Sequence, residues 1–261
     1  MYGKEIVAPT ITIQQGARGQ DVKRLQEWLC FHGFKVAVDG HLPGGGFGPI
    51  TDNAVRAFQK KNSLPVNGKV GPQVWSSLMR PLCEVCAYKP RAAGLAAAVV
   101  QVAAAHLKQA PIEIGGDNCG PWVRHYTRGF EGAAAAWCQG FASSMVEQAA
   151  DALNVSPTIP LYDADHAFSL WVPWVAESAL KANRRVAGSA PSFAAKVTPG
   201  AFFFVRGGPH QWTHVGIVRT IDLNVRMITT IEGNANHQGS SNGYEVCSVR
   251  RAIAGLDFGF L

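Results

Sequence analysis

The run Thr213-His214-Val215-Gly216-Ile217-Val218-Arg219-Thr220-Ile221 and the run Val225-Arg226-Met227-Ile228-Thr229-Thr230-Ile231-Glu232 read as two β-strands. Between them Asp222-Leu223-Asn224 reads as a three-residue turn. That turn pairs Ile221 with Val225, hence Gly216 with Thr230 and His214 with Glu232. An imidazole and a carboxylate then oppose each other on one sheet face, close enough to interact. Asn234 shares the parity of Glu232 and points the same way if the strand continues past Gly233. A slip of one residue would send the whole set to the other face, so the register is a testable expectation.

Upstream, Ala133–Ala136 lead into Trp137-Cys138-Gln139-Gly140-Phe141-Ala142-Ser143-Ser144-Met145. Cys138, Phe141, Met145 and Ala149 recur at helical spacing, which places Cys138 at or near the start of a buried helix. Unpaired N–H groups and the helix dipole there favour a thiolate and can hold an oxyanion. A thiolate nucleophile needs a base, and the base needs a third group to orient it. Cys138, His214 and Glu232, with Asn234, supply those residue types. Cys119, behind Gly116-Asp117-Asn118, is the rival nucleophile, but no apolar helix follows it.

The strands close a second segment, residues 95–261, that opens with Ala-rich helical runs. A first segment, 10–82, has helical periodicity broken by Gly-rich turns, and with Pro81, Pro90 and Gly94 as breakers the stretch 83–94 reads as the linker. In the first segment Val22, Leu25, Trp28 and Leu29 mark one amphipathic helix. Ala54, Val55 and Phe58, capped by Thr51 or Asp52, mark a second. Val74, Trp75 and Leu78, with Pro72 in the first turn, mark a third. Asp39-Gly40-His41-Leu42-Pro43-Gly44-Gly45-Gly46-Phe47-Gly48 reads as a tight loop and not a phosphate cradle, since no Lys-Ser/Thr follows it.

The chain has 261 residues, 47% hydrophobic and 16% charged, enough to bury a core. Its 24 Lys and Arg against 18 Asp and Glu give a net charge of +6, which suits a polyanionic partner such as cell wall, nucleic acid or anionic lipid. No basic stripe or nucleic-acid motif accompanies the charge, which argues against nucleic acid. Six cysteines are too few for a disulfide scaffold. Cys83 and Cys86 are free or locally bridged, with no second pair to complete a zinc site. His210 and His214, four apart on extended chain, lie about 13 Å from each other, too far to share a metal. Asp163-Ala164-Asp165-His166 lacks the glycine and distal glutamate of a calcium loop. Trp171, Trp174 and Trp212 either line a sugar or peptide groove or pack in the core. No secretory signal is visible and no apolar run reaches the ~20 residues of a membrane span, so synthesis in the cytosol is expected.

Two family resemblances rest on these residues. GARGQDVKRLQEWL, the spaced DG…FGPITDNAVRAFQ and LPVNGKVGPQVWSSL resemble the three-helix peptidoglycan-binding domain over residues 12–80, with a longer insert at His41–Gly46. Trp137-Cys138-Gln139-Gly140-Phe141, then Thr213-His214-Val215-Gly216-Ile217-Val218, then Ile231-Glu232-Gly233-Asn234 resemble the CHAP branch of the NlpC/P60 cysteine peptidase superfamily, as does the glycine-rich Gly115–Val123. Together they resemble a modular phage endolysin. The resemblance implies an α+β chain, a small all-α domain followed by a papain-like domain with an antiparallel sheet. It implies Cys138 as nucleophile, His214 as base, and Glu232 and Asn234 as orienters. Trp137 and Trp212 are expected to bind substrate, and a long helical insertion is expected at Ser156–Arg185. The implied activity is hydrolysis of a peptidoglycan amide, as endopeptidase or N-acetylmuramoyl-L-alanine amidase. It needs no metal and no organic cofactor, and a monomer reaches the wall only after release from the host cytoplasm. A secreted antibacterial effector shares that chemistry, and a non-catalytic wall-binding structural protein would share the first domain. On this reading the first domain is a tether that raises local substrate concentration.

Overall fold

The computed structural model describes residues 3–36, 44–163, 165 and 167–261. Three helices open the chain: α1 (Gln20–Phe31), α2 (Pro49–Lys61) and α3 (Pro72–Cys86). Val22, Leu25, Trp28 and Leu29 of α1 are all buried, as the spacing requires, against Ala54, Val55, Phe58, Val74, Trp75 and Leu78. The caps differ from expectation. Helix α2 starts three residues ahead of Asp52, with Gly48 as N-cap and Pro49 in the first turn, where its missing N–H needs no partner. Thr51 instead accepts a bond from Gln26, and Asp52 pairs with Arg56 at 2.7 Å. Gly45, at φ +70, accepts the Gly19 N–H and forms the expected left-handed turn, whereas Asp39–Pro43 lie outside the described residues.

The expected linker at 83–94 begins later. Helix α3 continues through Pro81 to Cys86, because Leu78, Met79, Leu82 and Val85 keep one buried face on both sides of the proline. Their packing offsets the roughly 3 kcal/mol an internal proline costs. Only 87–94 connect α3 to α4 (Leu95–Lys108). All six cysteines are free thiols, Cys83 and Cys86 among them.

The two segments share one core. Trp28 and Phe31 of α1 meet Trp122 of α5 (Pro121–Tyr126), with ring centroids 6.3 and 5.8 Å away. Beside them the buried Arg124 donates to Glu5 at 2.8 Å, Glu27 at 2.6 Å and Glu131 at 2.6 Å. Glu27 sits on α1 and Glu5 lies ahead of the first segment, so one guanidinium from the second segment binds a carboxylate of the first and another from the N-terminal residues before it. Lys23 reaches across the same seam to Glu131 at 2.5 Å. The first segment is docked, not merely tethered.

In the second segment α4 and α6 (Cys138–Leu153) pack on one face of a sheet built from β1 (Arg185–Ala187), β2 (Phe202–Gly208), β3 (Gln211–Asp222), β4 (Met227–Ala235), β5 (Glu245–Cys247), β6 (Arg250–Ala252) and β7 (Leu256–Gly259). The strands run β1-β7-β2-β3-β4-β5, with β6 also on β4, and every pairing is antiparallel. Alternation along β2 shows the layering. Phe202 and Phe204 face the helices, and Phe203 faces a second cluster with Phe193 of α8 (Phe193–Lys196) and Phe258. The chain is thus α+β. The expected helical insertion at 156–185 contributes one helix, α7 (Val172–Lys181), preceded by extended chain that pairs Tyr162 with Phe168.

The β3–β4 register is a correction. Ile217 pairs with Ile231 and Ile221 with Ile228, so Glu232 falls opposite Gly216 and not His214. The turn holds four residues, 223–226, with Arg226 left-handed at φ +53, and a bulge lies between Val218 and Thr220. The shift from expectation is two residues along this end of the ladder. An even shift keeps every side chain on its face, so His214 and Glu232 still meet diagonally.

Gly233 explains how α6 reaches the sheet. A Cβ there would lie 2.6 Å from Phe141 Cβ and 2.8 Å from Trp137 Cζ3, the two aromatic residues flanking Cys138. Gly233→Ala should therefore push the head of α6 off β4. We expect a stability loss of about 1–3 kcal/mol, read by denaturant unfolding.

Candidate active site

Cys138 is the first residue of α6 and is 3% exposed. The N–H groups of the first turn of α6 stand beside it without intrahelical acceptors. His214, from β3, is fully buried. Its Nε2 meets Glu232 Oε2 at 2.8 Å, which leaves the buried Nδ1 for the Cys138 thiol. The three residues expected to act together are brought together.

Glu232 is gripped on both oxygens. Arg251 bonds Oε1 through Nε and Oε2 through a terminal nitrogen, each at 2.6 Å, and the Thr230 hydroxyl adds a bond to Oε1. Burial alone would raise this carboxyl, but the bonds from Arg251 and His214 outweigh it and hold it at about 2. For His214, burial alone would lower the imidazole. The neighbouring Cys138 and then Glu232 overcome that and raise it to about 9. Both directions favour the charged ring beside a carboxylate that Arg251 keeps ionised.

These directions give a pH expectation. A raised histidine loses its proton, and with it the ion pair, as pH climbs from the ordinary 6.5 through about 9. Activity should fall on an alkaline limb near pH 9. In Glu232→Gln the limb should move toward 6.5 with a milder loss at neutral pH, since the amide still orients the ring without supporting its charge. A pH–rate profile of both proteins checks this, and an unmoved limb would assign it to another group.

Asn234, two residues along β4 from Glu232, is fully buried, in a left-handed conformation at φ +54. Between Glu232 and Ala235 the β4–β5 pairing is irregular, which breaks the parity expected to aim Asn234 beside Glu232. Its amide oxygen and nitrogen make no hydrogen bond, and the imidazole's carboxylate partner is Glu232.

Trp137 and Trp212, expected to touch substrate, are both buried. Trp137 stacks on Tyr126, with ring centroids 5.6 Å apart, and donates to Glu113 at 2.8 Å. Trp212 donates to Asp257 at 2.9 Å under the Arg185 guanidinium. Neither presents a free face to a ligand. Trp171, by contrast, is 66% accessible and lies on a cleft of about 510 Å³ shared with Trp174, Phe168, Asp163, Ala136 and Ala134. Ala136 brings that cleft within two residues of Cys138.

The other cysteines and histidines differ in setting. Cys119 donates to the Asp117 carbonyl, and burial raises its thiol. Burial pushes Cys86 and Cys247 up to about 12. His210 is exposed and bonds Glu177, so it does not join His214. Asp163 Oδ1 is taken up by the N–H groups of Asp165 and Ala167, while Ala164 and His166 lie outside the described residues. Sequence reading missed Arg251 and Thr230. Thr230 carried a signal, two residues before Glu232 on the same strand face. Arg251 carried none, because a three-residue strand brings it back beside β4 from 19 positions away.

The first segment matches a known family. Residues 18–78, covering α1, α2 and part of α3, match the PG_binding_1 model, a peptidoglycan binding domain. Two solved structures also share sequence with the chain. The SleB N-terminal domain is 36% identical over 28% of this chain and 96% of its own, with a TM-score of 0.26. The Burkholderia AP3 phage endolysin is 30% identical over 37% of this chain and 36% of its own, with a TM-score of 0.25. Each covers well under half of this chain, so the chemistry of the second segment is argued from its own residues. Among the described residues no helix is long and apolar enough to cross a membrane.

Proposed function

We propose that the chain is a cysteine amidohydrolase of bacterial peptidoglycan, anchored to its substrate by the first segment. The observation that carries this reading is the buried line Cys138–His214–Glu232–Arg251, with the thiol at a helix N-terminus. The Cys138 thiolate attacks the amide carbonyl, and the first-turn N–H groups of α6 receive the oxyanion. His214, as imidazolium, gives its proton to the departing amine and leaves an acyl-enzyme. The neutral imidazole then takes a proton from water, whose oxygen attacks the thioester, and the released acid regenerates the thiolate. Glu232 holds the ring in place and balances its charge without taking the proton. No step asks for a metal or an organic cofactor. The domain match to a peptidoglycan binding family supports the substrate class, and the +6 charge favours approach to an anionic wall in a salt-sensitive way.

The deciding experiment is mass spectrometry of fragments released from purified peptidoglycan. New paired amine and carboxyl ends at one amide are expected, between sugar lactyl group and peptide for an amidase or within the peptide for an endopeptidase. Reducing sugar ends instead would mean glycan cleavage and would overturn the thiol mechanism. Low concentrations of iodoacetamide should alkylate Cys138 ahead of the other five cysteines, read by peptide mapping.

A further inference from the structure

Away from Cys138, the β4–β5 hairpin gathers three side chains of different donor chemistry. Glu245 and Cys247 stand two apart on β5 and leave the strand on the same face. His237 follows the end of β4, and its Nε2 lies 3.7 Å from Glu245 Oε1, too long for a hydrogen bond. The donor atoms of all three lie within 4.8 Å of one another. Cys247 is buried and free, and Glu245 Oε1 is buried with no hydrogen-bond donor. Glu232, across the ladder from Cys247, adds a second carboxylate to the neighbourhood. A buried carboxylate oxygen without a donor calls for an explanation.

The geometry points to a binding site for one divalent cation of the zinc class, held by the His237 imidazole, the Glu245 carboxylate and the Cys247 sulfur. One nitrogen, one oxygen and one thiolate sulfur suit a borderline-soft ion, whereas calcium and magnesium take oxygen ligands. On binding, the Cys247 thiol releases its proton to solvent, and the two anionic ligands neutralise the ion. The exposed side of His237 leaves a fourth position for water.

The three ligands are not residues of the amide-cleavage site, although Glu232 neighbours both groups, and the assignment does not depend on that reading. It would clamp the loop at 236–244, whose far end reaches the catalytic helix. The Tyr244 carbonyl accepts the Glu113 N–H, and the Glu113 side chain holds Trp137 next to Cys138.

Cobalt(II) added to the full chain carrying Cys138→Ala tests the site, since the nucleophile is then unable to bind the metal. We expect one equivalent to bind with a near-ultraviolet sulfur-to-cobalt band and visible absorption of tetrahedral strength. Adding Cys247→Ser should abolish the near-ultraviolet band. His237→Ala, at an exposed position that the fold does not need, should weaken binding by at least about tenfold. Zinc should raise the thermal midpoint of the parent and not of His237→Ala, and calcium or magnesium should leave it unchanged. Absence of the cobalt band, or its survival in Cys247→Ser, would overturn the assignment.

Discussion

Cys138→Ala and His214→Ala should each lower the rate of amide cleavage by ~10⁴-fold while the protein stays folded. The size follows from roles that act as a unit, because removing either nucleophile or base disables the same step. Cys138→Ala takes one sulfur from the head of α6 and leaves Trp137 and Phe141 packed, so a stability loss of about 1 kcal/mol is expected. His214→Ala takes one donor from Glu232, yet Arg251 and Thr230 still bond both carboxylate oxygens between them. The carboxylate remains paired, and the sheet should hold. Circular dichroism melts alongside turnover on soluble muropeptides separate lost chemistry from lost fold. Cys119→Ala should be indistinguishable from the parent. If it alone stopped turnover while Cys138→Ala did not, the nucleophile would be Cys119.

Residues 95–261 expressed alone should lose turnover on soluble fragments as well as on whole sacculi. A tether would predict slower action on sacculi only, because local concentration is all it supplies. The docked interface predicts otherwise. Without the first segment, Trp122 loses Trp28 and Phe31, and Arg124 loses Glu5 and Glu27. Gln148 of α6 loses the Val85 carbonyl, to which it donates at 2.6 Å. These losses bear on α5 and on the helix that begins with Cys138. A point substitution isolates the effect: Arg124→Met leaves Glu27 buried without its guanidinium, at about 3–5 kcal/mol by denaturant unfolding. Arg124→Lys should rescue little, since one ammonium lacks the planar fork that spans three carboxylates. Undiminished turnover of soluble muropeptides by 95–261 would restore the tether.

What the sequence made legible was local. Helical spacing at Val22, Leu25, Trp28 and Leu29 and at Cys138, Phe141, Met145 and Ala149 records burial within single elements. The face shared by His214 and Glu232 was readable because strand parity survives an even error in register. The errors came where long-range packing decides. Pro81 looked like a boundary because propensity is local, whereas the buried face of α3 that carries it is tertiary. Trp137 and Trp212 looked like ligand platforms because a tryptophan's burial depends on partners such as Tyr126 and Asp257, far away in sequence. Arg251 and the Arg124 cluster were invisible for the same reason. Charge pairs across 19 and 97 positions leave no periodic trace.

A docked first segment also fixes a length. On a flexible tether, an anchored enzyme samples a sphere of bonds and cuts wherever one fits. On a rigid mount, the scissile amide must sit at a set vector from the anchoring point, and bonds elsewhere are out of reach until the anchor releases and rebinds. The seam at Arg124 would then act as a gauge block. Cleavage would advance by dissociation and re-landing, and its spacing on an ordered mesh would reflect the mesh repeat. Loosening the seam would blur that spacing before it changed the chemistry of a single cut.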